Sequence, residues 1–213
     1  MASSATSTCR RTSRIRAQRC SGTGCWPKRA RCAERDRAVA QSTPTVTTEP
    51  PSPWILRPIR PADDTATAET IRSVMTEHGC TGAGFAIHDD EVACMSRHYA
   101  SADARYYVVE HDGHVLGGAG FARLAGTTPE QATCELRKMY FRPAARGRNL
   151  GHALLALLLD EMRAAGYRRC YLETTTWMQA AQHLYRQHGF AELSCSEGAT
   201  GHHGCDKFYA RAL

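Results

Sequence analysis

The run Ala132-Thr-Cys-Glu-Leu-Arg-Lys-Met-Tyr-Phe-Arg-Pro-Ala-Ala-Arg-Gly-Arg-Asn-Leu-Gly-His-Ala-Leu-Leu-Ala-Leu-Leu-Leu-Asp-Glu-Met162 decides the fold. Ala132–Phe141 reads as a long strand, with Cys134 and Leu136 alternating against Thr133, Glu135 and Arg137. After Lys138 the apolar phase shifts to Met139 and Phe141. An alternating strand changes face by taking in one extra residue, so a β-bulge is expected near Lys138–Met139. The competing reading is a strand buried on both faces with an apolar end. Asn149–Ala165 then reads as a helix, with Leu150, Leu154, Leu157, Leu158 and Met162 on one stripe.

Outward from this unit the elements alternate irregularly. Upstream, Trp54–Ile59 reads as a strand and Asp63–His78 as a helix, followed by a break at Gly79–Gly84 and a weaker helix over Asp90–Tyr99. Arg105–Glu110 and His114–Arg123 are strands joined by Asp112-Gly113, a strong hairpin signal. Downstream come a strand at Tyr167–Thr174 and a helix at Met178–His188, stopped by Gly189. Strands at Phe190–Ser194 and Cys205–Arg211 complete the chain. The order βα(α)βββαβαββ predicts a mixed α/β (α+β) domain over residues 54–213, not a regular βαβ repeat.

Composition narrows the function. The chain has 213 residues, and its longest apolar run, Ala153–Leu159, is far short of the ~20 needed to span a bilayer. Of its 27 Lys/Arg and 21 Asp/Glu, residues 1–40 hold ten and two. The other 173 residues hold 17 basic and 19 acidic side chains, so the folded part is slightly acidic and no nucleic-acid partner is expected for it. Residues 1–53 are Arg/Ser-rich with a Pro/Thr linker and read as unfolded. A non-native upstream extension, a transit segment and a basic arm for polyanions all fit that composition. No paired Cys-x2-Cys cluster marks a metal site, and Cys134 and Cys170 sit in apolar strands as small core residues. A reducing, cytoplasmic compartment is favoured.

The segment Arg146-Gly147-Arg148-Asn149-Leu150-Gly151 links strand to helix. The first N–H groups of a helix lack partners and its dipole is positive there, so the turn suits a pyrophosphate. It lacks the Lys-Ser/Thr of a P-loop and the third glycine of the dinucleotide fingerprint. Its rival reading is an exposed basic turn that starts a helix.

Glu135-Leu-Arg-Lys-Met-Tyr-Phe141, the turn from Arg146 to Gly151, and Ala181-Gln-His-Leu-Tyr-Arg-Gln-His-Gly-Phe190 together resemble the GCN5-related N-acetyltransferases (GNAT). The likeness runs from Ile55 to Leu213, and the closing Gly198-Ala-Thr-Gly-His-His-Gly-Cys-Asp206 looks like an ending of bacterial members of unassigned substrate. The resemblance implies a twisted, largely antiparallel sheet of six or seven strands, with a splayed, bulged fourth strand and helices on both faces. It implies acetyl-CoA as cosubstrate, no metal, and a small-molecule or peptide amine as acceptor, with a homodimer compatible. Backbone N–H groups from Arg146 to Gly151 would hold the pyrophosphate. Met139 to Phe141 would pair with the pantetheine arm, and the N–H of Met139 or Tyr140 would polarise the thioester carbonyl. Tyr185 would protonate the departing thiolate, and Glu135 matches the position of a catalytic base. Asn149 replaces a usual glycine, and Met178 a frequent asparagine.

That chemistry is physically coherent. A Lys-like amine costs roughly 4–5 kcal/mol to deprotonate at pH 7, which calls for a carboxylate base. Glu135 is the first candidate and Glu173 the reserve. Plain core packing of Tyr185, and pairing of Glu135 with Arg137, are the structural alternatives. Asp89-Asp90-Glu91 falls in the expected acceptor loop, where acidic charge would suit a cationic amine or simply be solvated. His202 and His203 border the same region. An acyl-CoA sensor on the same fold, and a polyanion-binding protein acting through residues 1–40, are the functional alternatives.

Overall fold

Asp112 and Gly113 both adopt left-handed backbone, φ 49° and 73°, and so turn the chain back between β2 (Arg105–His111) and β3 (His114–Arg123). Around this hairpin the computed structural model describes residues 53–213. The expectations for residues 1–52 lie outside the described residues. The described residues open with β1 (Ile55–Pro58), α1 (Asp64–Glu77) and a one-turn α2 (Met95–His98). After the hairpin follow β4 (Thr133–Phe141), α3 (Leu150–Ala164), β5 (Arg169–Thr174), α4 (Gln179–Gln187), β6 (Ala191–Leu193) and β7 (Lys207–Ala212). The seven strands form one sheet in the order β1-β2-β3-β4-β5-β7-β6. All neighbours are antiparallel except β4 and β5. No helix among the described residues is long and apolar enough to cross a membrane.

Alternation along the strands builds two cores. Val109, Ala119, Phe121 and Leu172 pack against α3 and Tyr185 of α4. Tyr106 and Val108 face the opposite way, against Ile71 and Met75 of α1 and Met95 of α2. The buried stripe of α3 is Leu154, Leu155, Leu158, Leu159 and Met162. Leu150 and Leu157, expected on it, are half-buried at its edges. The stripe is broader than a period-3.6 reading suggests because α3 touches both the sheet and α4.

The bulge lies where the phase shift places it. Gly118 pairs with Tyr140 and Gly120 with Arg137, so two steps on β3 face three on β4. Lys138 takes φ +51°. The glycines of β3 make room for the device that holds it. A Cβ on Gly118 would come within 2.8 Å of the Tyr107 carbonyl oxygen and 2.9 Å of the Tyr106 hydroxyl. One on Gly120 would lie 2.5 Å from the Arg105 carbonyl oxygen. The Tyr106 ring therefore lies across bare backbone and donates its hydroxyl to the Lys138 carbonyl at 3.1 Å. Gly118→Ala and Gly120→Ala are each expected to lower stability by about 1–3 kcal/mol. Urea unfolding should show this as a lower midpoint at unchanged slope.

Candidate active site

Before the bulge β4 already loses one of its two neighbours. It pairs with β5 only from Thr133 to Glu135, against Arg169 to Tyr171. From Leu136 onward the two strands diverge, and β5 continues along β7. The wedge leaves backbone groups of Met139 to Phe141 without a strand on that side, and a cavity of about 520 Å³ opens there. Met139, Tyr140, Phe141, Arg146, Gly147, Asn149, Leu150, Gly151 and Tyr185, all marked in the sequence, line it. Trp177, 75% exposed, stands on its rim.

Local geometry shapes the turn for close approach. Gly147 and Asn149 have φ +70° and +63°, and a Cβ on Gly147 would meet nothing within 4 Å. Asn149 thus takes the left-handed conformation that asparagine tolerates, and occupies the N-cap of α3 without a side-chain capping bond. The open turn and the bare N-terminus of a 15-residue helix fit an anionic diphosphate. The arginines behave differently from expectation. Arg146 forms a two-pronged pair with Glu77, 2.6 Å on each side, so its charge is already offset. The Arg148 side chain does not line the cavity. It donates to the Ala144 carbonyl and lies 5.1 Å over the Trp54 ring, leaving its backbone as its part of the turn.

A second, smaller cavity of about 60 Å³ adjoins the first. Met139, Tyr140, Met178 and Tyr185 line both, so the two spaces meet at the bulge and the Tyr185 phenol. Burial holds that phenol protonated, well above the ordinary tyrosine range. Met178 contributes an apolar side chain at this junction.

The smaller cavity carries a cluster of charges. Glu135 and Glu173 are both almost fully buried, each side chain 3% exposed. Glu135 accepts from Arg137 at 2.6 Å, as one sequence reading expected. Burial nevertheless pushes its carboxyl up, and Arg137 opposes this only in part. Glu173 accepts from the Tyr171 and Thr200 hydroxyls at 2.7 and 3.0 Å through one oxygen. Its other oxygen is buried without a hydrogen-bond partner among the described residues, as is the Thr175 hydroxyl beside it. Lys138, turned inward by the bulge, sets its ammonium 2.6 Å from Asp89 and 2.5 Å from Glu91. The acidic loop is therefore paired rather than solvated at those two residues. Burial alone would push Asp89 up, but hydrogen bonds from His202 and Lys138 pull it down to about 2.

Sequence reasoning placed His202 in a bordering loop and gave it no role. The structure puts it inside, 3.1 Å from Asp89, 3.9 Å from Glu135 and 3.7 Å from Glu173. The signal available was the Gly-Ala-Thr-Gly-His-His-Gly-Cys segment. Gly204 donates its N–H to the Gly84 carbonyl at 3.1 Å, and a Cβ on it would run into the Phe85 ring at 2.6 Å. That close approach lets the segment close on the loop carrying Asp89. No group of three or more metal-ligating side chains stands together among the described residues.

The model of the acetyltransferase (GNAT) family matches residues 72–190. The uncharacterized N-acetyltransferase YjgM of Escherichia coli K12 is 38% identical over 165 residues, 77% of this chain and 97% of that protein. The N-alpha-acetyltransferase RimI of Mycobacterium tuberculosis is 36% identical over 101 residues, 47% of this chain and 61% of the other. Among solved structures, YncA of Salmonella typhimurium, a putative acetyltransferase with its cofactor acetyl-CoA, superposes with a TM-score of 0.61 at 24% identity. That match covers 76% of this chain and 95% of YncA. A GNAT acetyltransferase of Staphylococcus aureus Mu50 gives 0.63 at 19%, over 76% and 99%. With a family model over more than half its length and a relative matched almost end to end, this chain belongs to the GNAT acetyltransferases, enzymes of acyl transfer.

Proposed function

We propose that this enzyme transfers the acetyl group of acetyl-CoA to a primary amine, by direct attack of the amine on the thioester. The observation that carries the reading is the junction: an open channel behind a bulged strand meets a small acid-lined cavity at Met139, Tyr140 and Tyr185. Acetyl-CoA supplies the activated acyl group. Backbone N–H groups from Gly147 to Gly151 hold its diphosphate, the Arg146 N–H being engaged by the Pro143 carbonyl at 3.1 Å, and the free edge of Met139–Phe141 pairs with its pantetheine arm. The N–H of Met139 or Tyr140 polarises the thioester carbonyl, where donors aimed at developing charge are worth most. Glu135, whose affinity for a proton is raised by burial, takes a proton from the entering ammonium. Tyr185, kept protonated, gives its proton to the departing sulfur.

The acceptor is a cationic amine in a small molecule or on a protein. The small cavity supports this, because Glu173 offers a buried oxygen that accepts no hydrogen bond among the described residues.

Thiol release from acetyl-CoA should be stimulated by a member of a panel of polyamines, amino acids, aminoglycosides and peptides. Tyr185→Phe is expected to lower kcat about 10²-fold while leaving the acetyl-CoA Kd from calorimetry unchanged. A binding module would keep that affinity and show no amine-stimulated release in either form. Glu135→Gln is expected to lower kcat/KM by a similar factor, about 10². Saturation with acetyl-CoA should also quench emission from Trp177 on the channel rim, a change that disappears in Trp177→Phe.

A further inference from the structure

We propose that His202, held by Asp89, is the relay that carries the amine's first proton from the buried carboxylates to solvent. This rests on the acetyl-transfer reading and adds a step to it. An ammonium that becomes an amide loses two protons. In the proposed reaction one ends on the CoA sulfur, through Tyr185, and the other must leave the protein. Glu135 and Glu173 cannot release it directly, because each side chain is 3% exposed.

His202 stands where the way out begins. Its Nδ1 lies 3.9 Å from Glu135 Oε1 and 3.7 Å from Glu173 Oε2, and its Nε2 lies 3.1 Å from Asp89 Oδ2. Exposure rises along the same path: 3% at the two glutamates, 15% at His202 and 29% at Asp89. The groups that face the imidazole are Asp89 from the loop before α2, Glu135 and Lys138 from β4, and Glu173 from β5. Lys138 also bonds Asp89, which keeps that carboxylate ionised and fixed as an acceptor. An ionised Asp89 holds a proton on Nε2, so in neutral His202 the lone pair of Nδ1 points at the glutamates.

The protons balance. The ammonium N–H bond breaks and an O–H bond forms on Glu135. That proton passes through one bridging water to Nδ1, 3.9 Å away, making an imidazolium; the ring then gives a proton to solvent water while Asp89 stays ionised, and exchange with solvent returns it to the Nε2–H form. The free amine then forms the C–N bond as the C–S bond breaks, and its second proton replaces the one Tyr185 gave to sulfur. His202 acts through the carboxylates rather than on the acceptor.

The relay needs a neutral imidazole at the start of each cycle. The hydrogen bond to Asp89 raises the pKa of His202, against burial, so activity should rise as pH increases through a value above 6.5. With the best amine of the panel, His202→Gln should lower kcat/KM about 10- to 100-fold at pH 7 and abolish that limb. It should leave the acetyl-CoA Kd unchanged, and added imidazole should restore turnover in proportion to its concentration. Asp89→Asn gives an independent check: the limb, and the His202 ring resonance followed by NMR, should both move to lower pH. Retention of full kcat/KM and of the limb in His202→Gln overturns the relay alone. So does a loss of activity that imidazole cannot rescue combined with an unmoved limb in Asp89→Asn. No thiol release by the native chain with any amine overturns the relay and the acetyl-transfer reading together.

Discussion

One residue too many in β4 organises this molecule. Holding Lys138 at φ +51° costs about 1–2 kcal/mol, because a side chain there crowds its own backbone. The Tyr106 hydroxyl on its carbonyl and two carboxylates on its ammonium hold it in place. The extra residue turns the backbone of Met139–Phe141 away from a regular ladder, and the wedge between β4 and β5 opens beside it. The same residue drives a cation into the protein beside the smaller cavity. A buried ammonium without partners is very costly, so the loop with Asp89 and Glu91 must dock for the sheet to close. The wall of the smaller, acid-lined cavity and the open edge beside the larger one are thus two consequences of a single backbone irregularity.

The bulge was legible because it is written in alternation. A change of face moves every following apolar residue, and Met139 and Phe141 record that change in the sequence. The hairpin was legible for a similar local reason, since Asp112-Gly113 supplies two residues that accept positive φ. The order of strands and helices followed from such signals, and the resemblance then supplied the sheet. Helix faces were read less well. A single period-3.6 stripe describes a helix with one neighbour, and α3 has two, so Leu155 and Leu159 joined the core unannounced.

The site was legible where it is backbone and opaque where it is charge. Residues 139–141 and, apart from Arg148, 146–151 line the larger cavity because the strand-turn-helix unit places them along one wall. The partners of the arginines did not follow. Arg146 meets Glu77 across 69 positions of sequence, and His202 meets Asp89 across 113. No local pattern encodes such meetings. The second depends on two loops closing at Gly84 and Gly204, where a side chain would block the approach. Trp177 escaped notice for a related reason: nothing around it in sequence distinguishes a rim from an ordinary exposed loop.

The electrostatics of the smaller cavity follow from how these charges divide. Lys138 is shared by Asp89 and Glu91, and Arg137 is bonded to Glu135, so two fixed cations meet three of the four carboxylates. Were the cluster fully paired, an entering ammonium would gain little, because every carboxylate would already be satisfied. Were it unpaired, burying that much negative charge would be prohibitive. The arrangement lies between these limits. Glu173 keeps one oxygen free, and Glu135 is held above the usual carboxylate range because burial outweighs its one arginine. A carboxylate that takes up a proton more readily than in water is what a strongly basic amine demands of its base, since the free-energy gap for the transfer narrows as the two affinities approach. In the proposed reaction burial is therefore as much a part of the base as the carboxylate is, and the three-residue ladder β4 shares with β5 matters because it carries Glu135 inward before the strands part.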